Sequence, residues 1–524
     1  MDPACCLLVL RTSNFTSLFK HSIALYSMIL IMTSMIVNKK KNSLLKDGIY
    51  VLISNYFAQA CNIIRSFYSA NILGPAGYGL WSIIQFYLEF GKFSALGMDE
   101  AASRGITQNI LKNKTSENLY IIKIYSIYSL LISVIAIIVG ALVLFFWGNK
   151  NNPIQYYGIM LVTGAIVAWQ VDRLAYTILS AYGKFNYTSV MRALYAVISL
   201  TTVVVMIHEF KILAMYWSYF LATLVSPIIV AIIYLKIISR RYKDIYKADI
   251  KIKNYTSLFF KSSLSLLIVS TLNAILANLD KFFVSHNYSN YENGLYFFAS
   301  NIAMSLNFFI FSFTVVIYQR MNLSYGEHSD IKKTFEYIIK ACKKTAMYFP
   351  YIIIVAYYVI PSFFVLMFPE YISSIFFLRC FVFAGYFYSL FMLLNYELMA
   401  IKKQKVLNIM YSIIIIVGSA AYIVASKKLG IEYIPYIVII LSIVLMLSNL
   451  YLSRKISGGI YKKRKLLITL LSTPIIILII MKFIDFYISD AVFYNYLIKA
   501  ALSSVLYFFF HRVIEKMELK GSGA

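Results

Sequence analysis

Charge is scarce in this chain: 14% of its 524 residues are Asp, Glu, Lys or Arg, against roughly 25% in an average soluble domain. That shortage excludes a large water-exposed domain. Acid is scarcer than base, with 22 Asp and Glu against 49 Lys and Arg and a formal charge of +27. In a soluble protein this excess would point to nucleic acid, but here the cations sit in short connections between apolar runs. They report topology rather than a polyanionic partner, and no nucleic acid is expected. Cysteine is rare, with Cys5, Cys6, Cys61, Cys342 and Cys380 forming no C-x-x-C pair, which excludes a disulfide framework and a cysteine metal site. Of the histidines, His208, His286, His328 and His511 fall in loops or at a span end and build neither a dyad nor a metal set. No phosphate-cradling P-loop, dinucleotide fingerprint or serine-nucleophile elbow occurs. The chain is therefore not its own ATPase, and neither a cofactor nor catalysis is expected.

What is present is hydrophobic sequence in long stretches: 60% apolar residues and a mean hydropathy of +0.73. A bilayer core of roughly 30 Å needs about 20 apolar helical residues. That criterion places spans at 48–70, 79–97, 119–146, 157–180, 189–207, 212–238, 257–284, 294–318, 346–367, 371–400, 406–426, 433–453, 466–486 and 492–510. The pattern predicts an all-α polytopic membrane protein of about fourteen helices. With Lys39, Lys40, Lys41 and Lys46 placed inside, the inner connections carry 36 Lys and Arg and the outer ones six. Cytoplasmic loops carry such an excess, and one span too many or too few would scramble the later half of the tally. Both ends are expected in the cytoplasm. Residues 1–37 form an N-terminal extension, with Met35 expected as the natural start, and 521–524 read as a cloning scar.

The longest basic connection, Lys236 to Lys261, divides 38–255 (spans one to six) from 256–455 (spans seven to twelve), and 456–520 adds two further spans. A weak internal match supports two halves. Arg65 is followed fourteen residues later by Gly79-Leu80-Trp81, and Asp280 fourteen residues later by Gly294-Leu295-Tyr296. Glycine at the start of a span permits a tight turn and close backbone approach.

Ionisable groups at membrane depth cost roughly 2.5 kcal/mol or more, so they face a partner or a water-filled cavity. Glu89 and Lys92 are three residues apart and can form a local ion pair on one helix face. Asp172 and Arg173 are adjacent, so at least one points inward. Lys281 and Lys499 lie near span ends, where long side chains snorkel to the interface. Arg65 and Arg379 have no acid within a helical turn. Each therefore pairs with Asp280, Glu89 or Asp172 across the bundle, or with an anionic ligand, whose phosphate suits the guanidinium fork.

Three stretches resemble the polysaccharide flippases, the Wzx-type exporters of O-antigen or capsule repeat units. These belong to the superfamily of multidrug, oligosaccharidyl-lipid and polysaccharide exporters. The stretches are Leu73-Gly74-Pro75-Ala76-Gly77-Tyr78-Gly79-Leu80-Trp81, Leu96-Gly97-Met98-Asp99-Glu100 with Arg104, and Leu279-Asp280-Lys281 followed by Gly294-Leu295-Tyr296. The resemblance covers about residues 38–455. It implies two pseudo-symmetric six-helix bundles around a central cationic cavity, alternating access, and transfer of an undecaprenyl-pyrophosphate-linked oligosaccharide to the outer leaflet of a bacterial inner membrane. Under it, Arg65, Arg379, Arg173 and Lys92 form the cationic cavity, and Asp172, Glu89 and Asp280 serve ion coupling or charge pairing with H+ or Na+. The protein would work as a monomer beside a glycan polymerase and chain-length machinery. Two rivals remain: an ion-coupled multidrug extruder, whose cavity should hold more acid, and a membrane glycan polymerase or glycosyltransferase, which should carry a sizeable external domain.

Overall fold

The computed structural model describes residues 43–92, 98–111, 115–147, 153–238, 252–306, 331–400, 404–456, 463–488 and 493–520, and these are helical with short connecting turns. The helices are α1 Ser43–Lys92, α2 Met98–Leu111, α3 Thr115–Trp147, α4 Pro153–Ala181, α5 Phe185–Phe210, α6 Ile212–Ile238, α7 Ile252–Asn287, α8 at 290–306, α9 Ile331–Ile354, α10 Ile360–Met367, α11 Ser374–Ala400, α12 Gln404–Lys428, α13 Ile434–Ile456, α14 Lys463–Tyr487 and α15 Phe493–Lys520. A π turn, Val355–Val359, joins α9 to α10. The expectations for 1–37 and 521–524 fall outside the described residues.

Eight helices among the described residues are long and apolar enough to cross a membrane. Polar backbone cannot be left unsatisfied in lipid, so helices with internal hydrogen bonds are the form such apolar runs must take. The protein is a multi-pass membrane protein. Its burial pattern agrees: α3 turns Leu130, Ile135 and Phe145 outward, whereas the apolar stretch of α11 is 83% buried and forms the centre of its bundle. One bundle packs α1 on α5, α5 on α6, α4 on α6 and α3 on α4; the other packs α11 on α13, α7 on α12 and α9 on α11 and α14. The last two helices, α14 and α15, pack on each other and against α9.

Spans one and two are the two arms of α1, bent at Gly74 (φ 64°, ψ 174°). Side-chain-bearing residues avoid that φ, and the following Pro75 lacks an N–H to continue the ladder. The bend delivers Gly79 onto α8. A Cβ there would overlap the Asn290 carbonyl, and a Cβ on Gly294 would overlap the Pro75 carbonyl. The two Gly-Leu-aromatic stretches that match in sequence thus cross each other backbone to backbone.

Aromatic rings seal this end of the molecule. Phe298 lies 4.4 Å from Tyr371 and 5.3 Å from Phe364, and Phe67 lies 5.2 Å from Phe368, centroid to centroid. Hydrogen bonds tie the same seam: Tyr371 Oη donates to the Ala70 carbonyl at 3.0 Å, and Asn301 Nδ2 to Tyr78 Oη at 3.1 Å.

Candidate substrate cavity

Below the seal lies a cavity of about 790 Å³ between the bundles, lined by α1, α5 and α6 on one side and by α7, α8 and α10 on the other. The helices α1, α7 and α8 supply most of the cavity's polar groups. Those include Gln59, Asn62, Arg65 and Glu89 from α1, Asn278 and Lys281 from α7, and Asn301 and Ser305 from α8. On α1 the polar residues Asn55, Gln59, Asn62, Ser66 and Ser69 recur at steps of four, three, four and three, which aligns them on one face of a helix. This stripe is legible in the sequence once uncharged amides and hydroxyls are counted beside the charges. Gln59 reaches across to α8, donating to Ser305 Oγ at 2.7 Å.

Arg65 is buried in this cavity. Its Nη1 donates to Ser199 Oγ at 2.5 Å and its guanidinium stacks over Tyr219 at 4.9 Å. Its Nε has no hydrogen-bond acceptor, and no carboxylate pairs with it among the described residues.

Lys281, expected to snorkel, is instead buried at 7% exposure. Its Nζ lies 3.4 Å from both Asn278 Oδ1 and Met304 Sδ. The reason is position: α7 turns it into the cavity, where Glu89 acts on it electrostatically. Its neighbour Asp280 turns the other way and accepts a 2.7 Å hydrogen bond from Tyr296 Oη.

A second chamber, about 400 Å³, adjoins the first and shares Gln59, Asn62 and Tyr195 with it. Asp172, Arg173 and Arg192 line it. Both Asp172 and Arg173 therefore face inward, where the sequence required only one to do so. Arg173 is engaged by Asp99 of α2 at 2.6 Å and stacks over Trp169 at 5.4 Å. Arg192, near the start of the span drawn at 189–207, contacts Asn55 Oδ1 through Nη1 and donates from Nη2 to Tyr176 Oη at 3.0 Å.

Two expected site residues, Asp280 and Arg379, lie outside both chambers. Arg379 lines neither chamber: it stacks on Tyr357 of the π turn at 4.0 Å, with Nη2 3.4 Å from the Tyr357 carbonyl. It sits near the start of α11, and its own bundle supplies the ring it packs on. Lys499, expected to snorkel, is 1% exposed and pairs with Asp485 at 2.9 Å, beside a Tyr358 hydroxyl 3.1 Å from the same carboxylate. The side chains of Lys92 and Arg104 lie outside the described residues.

Residues 44–321 match the family described as polysaccharide biosynthesis protein, and the chain belongs to that family. No curated protein sequence matches it. Among solved structures it is similar to the lipid II flippase MurJ in an inward closed conformation, with a TM-score of 0.67, 15% identity, and coverage of 90% of this chain and 100% of that one. It is also similar to an outward-facing multidrug resistance transporter of the MATE family in the MOP superfamily, at TM-score 0.62 and 14% identity over 81% of this chain and 99% of that one. A MOP superfamily transporter from Pyrococcus furiosus gives TM-score 0.58 at 14% identity, covering 82% and 100%. The fold is that of these transporters, two pseudo-symmetric helical bundles about a central cavity, and these neighbours are transporters rather than catalysts.

Proposed function

We propose that the protein moves an undecaprenyl-pyrophosphate-linked oligosaccharide from the inner to the outer leaflet of a bacterial inner membrane, by alternating access of two lobes, 38–255 and 256–455, with 456–520 as an addition. The observation that carries this reading is Arg65: a buried guanidinium without a carboxylate partner among the described residues, inside a cavity large enough for a head group.

A charge withdrawn from water is costly unless it is paired. A diphosphate supplies the missing charge and the acceptors a planar fork binds in bidentate fashion. Lys281, across the cavity from Arg65, adds a point charge. The glycan occupies the polar stripe of α1, shielded from hydrocarbon, while the lipid tail stays in the bilayer. With the Lys- and Arg-rich connections inside, the aromatic seal marks the outer face. Glu89 and Asp172, which line the two chambers, are the groups for exchange of a proton or sodium ion between the two states. Within the larger chamber cations outnumber acids, Arg65 and Lys281 to Glu89, the reverse of what a cationic drug needs.

The test is deletion in the host with complementation. Lipid-linked repeat units should accumulate on the cytoplasmic face without the gene, and Arg65→Ala should fail to clear them at normal expression. Units that reach the outer leaflet but remain unpolymerised would instead mark a glycan-assembly enzyme.

A further inference from the structure

The chain holds cations in two distinct ways. Arg173 and Lys499 are matched by carboxylates, Asp99 and Asp485. Arg65 and Arg192, in adjoining chambers, are each held by one neutral side chain and one tyrosine ring: Ser199 and Tyr219 for Arg65, Asn55 and Tyr176 for Arg192. Neither has an ion-pair partner among the described residues. The same device is thus built twice along α5, where Arg192 and Ser199 are seven residues, or about 10 Å of helix axis, apart.

Arg65 lines the larger chamber and Arg192 the smaller, so a diphosphate engaged at Arg65 leaves Arg192 for a different part of the substrate. Asp172 lines the same chamber as Arg192, so a bare inorganic anion would be repelled as well as attracted there. A ligand that offers a carboxylate to Arg192 and hydroxyls to Asp172, Asn55 and Asn62 has the complementary chemistry. Trp169 and Tyr176 supply aromatic faces in the same chamber, against which a pyranose ring can pack its C–H surface.

Resting on the flippase reading, we infer that Arg192 is a specificity residue for the glycan: the 400 Å³ chamber accepts an acidic sugar, a pyranose bearing a carboxylate, while Arg65 takes the diphosphate. Arg192 has five N–H donors in all, and its two bonds to Asn55 and Tyr176 leave donors for a carboxylate. Charge-assisted hydrogen bonds of this kind correspond to about tenfold or more in affinity.

The experiment is equilibrium binding to the full chain in lipid nanodiscs, with three farnesyl diphosphates as probes: one without sugar, one carrying a neutral disaccharide, and one carrying a disaccharide that ends in glucuronic acid. Wild type should bind the uronate probe about tenfold more tightly than the neutral one. Arg192→Gln should erase that preference while leaving affinity for the other two probes unchanged, and Arg192→Lys should keep part of it. Arg65→Ala should weaken all three. A wild-type protein indifferent to the carboxylate, or an Arg192→Gln variant that keeps the preference or loses all probes equally, overturns the inference and leaves the flippase reading standing. Failure of wild type to bind any of the three overturns both.

Discussion

Arg65 and Lys499 are both buried in a membrane-embedded helical protein, and their surroundings differ in one respect. Lys499 stands 2.9 Å from Asp485 between the last two helices, with Tyr358 completing the cluster. Arg65 contacts the Ser199 hydroxyl and the Tyr219 ring and, among the described residues, forms no ion pair, in a 790 Å³ cavity. A cation matched by a carboxylate is complete within the protein and fastens helix to helix. A cation held by neutral groups is positioned but not neutralised, and what neutralises it has to come from outside. Under the proposed function, the contrast separates the C-terminal helix pair, as scaffold, from the interface of the two bundles, as the working part.

The largest effect expected from this contrast is at the scaffold. Lys499→Ala leaves Asp485 without its cation and should cost about 3–5 kcal/mol of stability, read as a lower unfolding temperature in detergent. Lys499→Met combined with Asp485→Leu should recover most of that loss, because no charge is left stranded. A single variant that melts like wild type would remove the distinction between the two regions. At the cavity the expectation reverses: Arg65→Ala should weaken lipid-diphosphate binding by about 2–3 kcal/mol, with stability lowered by no more than about 1 kcal/mol, the loss of its bond to Ser199.

A smaller effect is expected at the seam. Gly79→Ala and Gly294→Ala each push a methyl group into opposing backbone, and overpacking of this kind costs about 1–3 kcal/mol. That cost falls only on the sealed state, so the bundles should part at this end. The check is faster alkylation of a cysteine placed at Ser305, in the cavity behind the seal. The smallest effect is at Asp99. Because Arg173 is 39% exposed in that pair, Asp99→Asn should cost about 1 kcal/mol or less, and unfolding measurements should detect little change.

Much of this was legible in the sequence. The apolar runs marked the spans, since 212–238 and 371–400 coincide with or nearly match Ile212–Ile238 and Ser374–Ala400. The Gly-Leu-aromatic repeat flagged the two backbones that cross at Gly79 and Gly294, although nothing in the sequence said that the two copies meet each other. Arg65 was legible because it lacks a nearby acid. Arg379 carries the same local signature and lies elsewhere, because only packing decides which face of α11 meets the cavity. The partners of Arg173 and Lys499 were hidden for a related reason: they come from other helices, and sequence separation does not reveal them. Arg192 was missed because cations near span ends count towards topology. The amide stripe on α1 was missed because Asn and Gln carry no charge.

The most direct test of the central claim is flipping in proteoliposomes, using a fluorescent lipid-diphosphate oligosaccharide and a membrane-impermeant quencher to follow its exchange between leaflets. The account predicts that wild type exposes the lipid to the quencher, that Arg65→Ala falls to the rate of protein-free vesicles, and that Arg65→Lys recovers part of the activity. Arg65→Ala vesicles that flip as fast as wild type would contradict it.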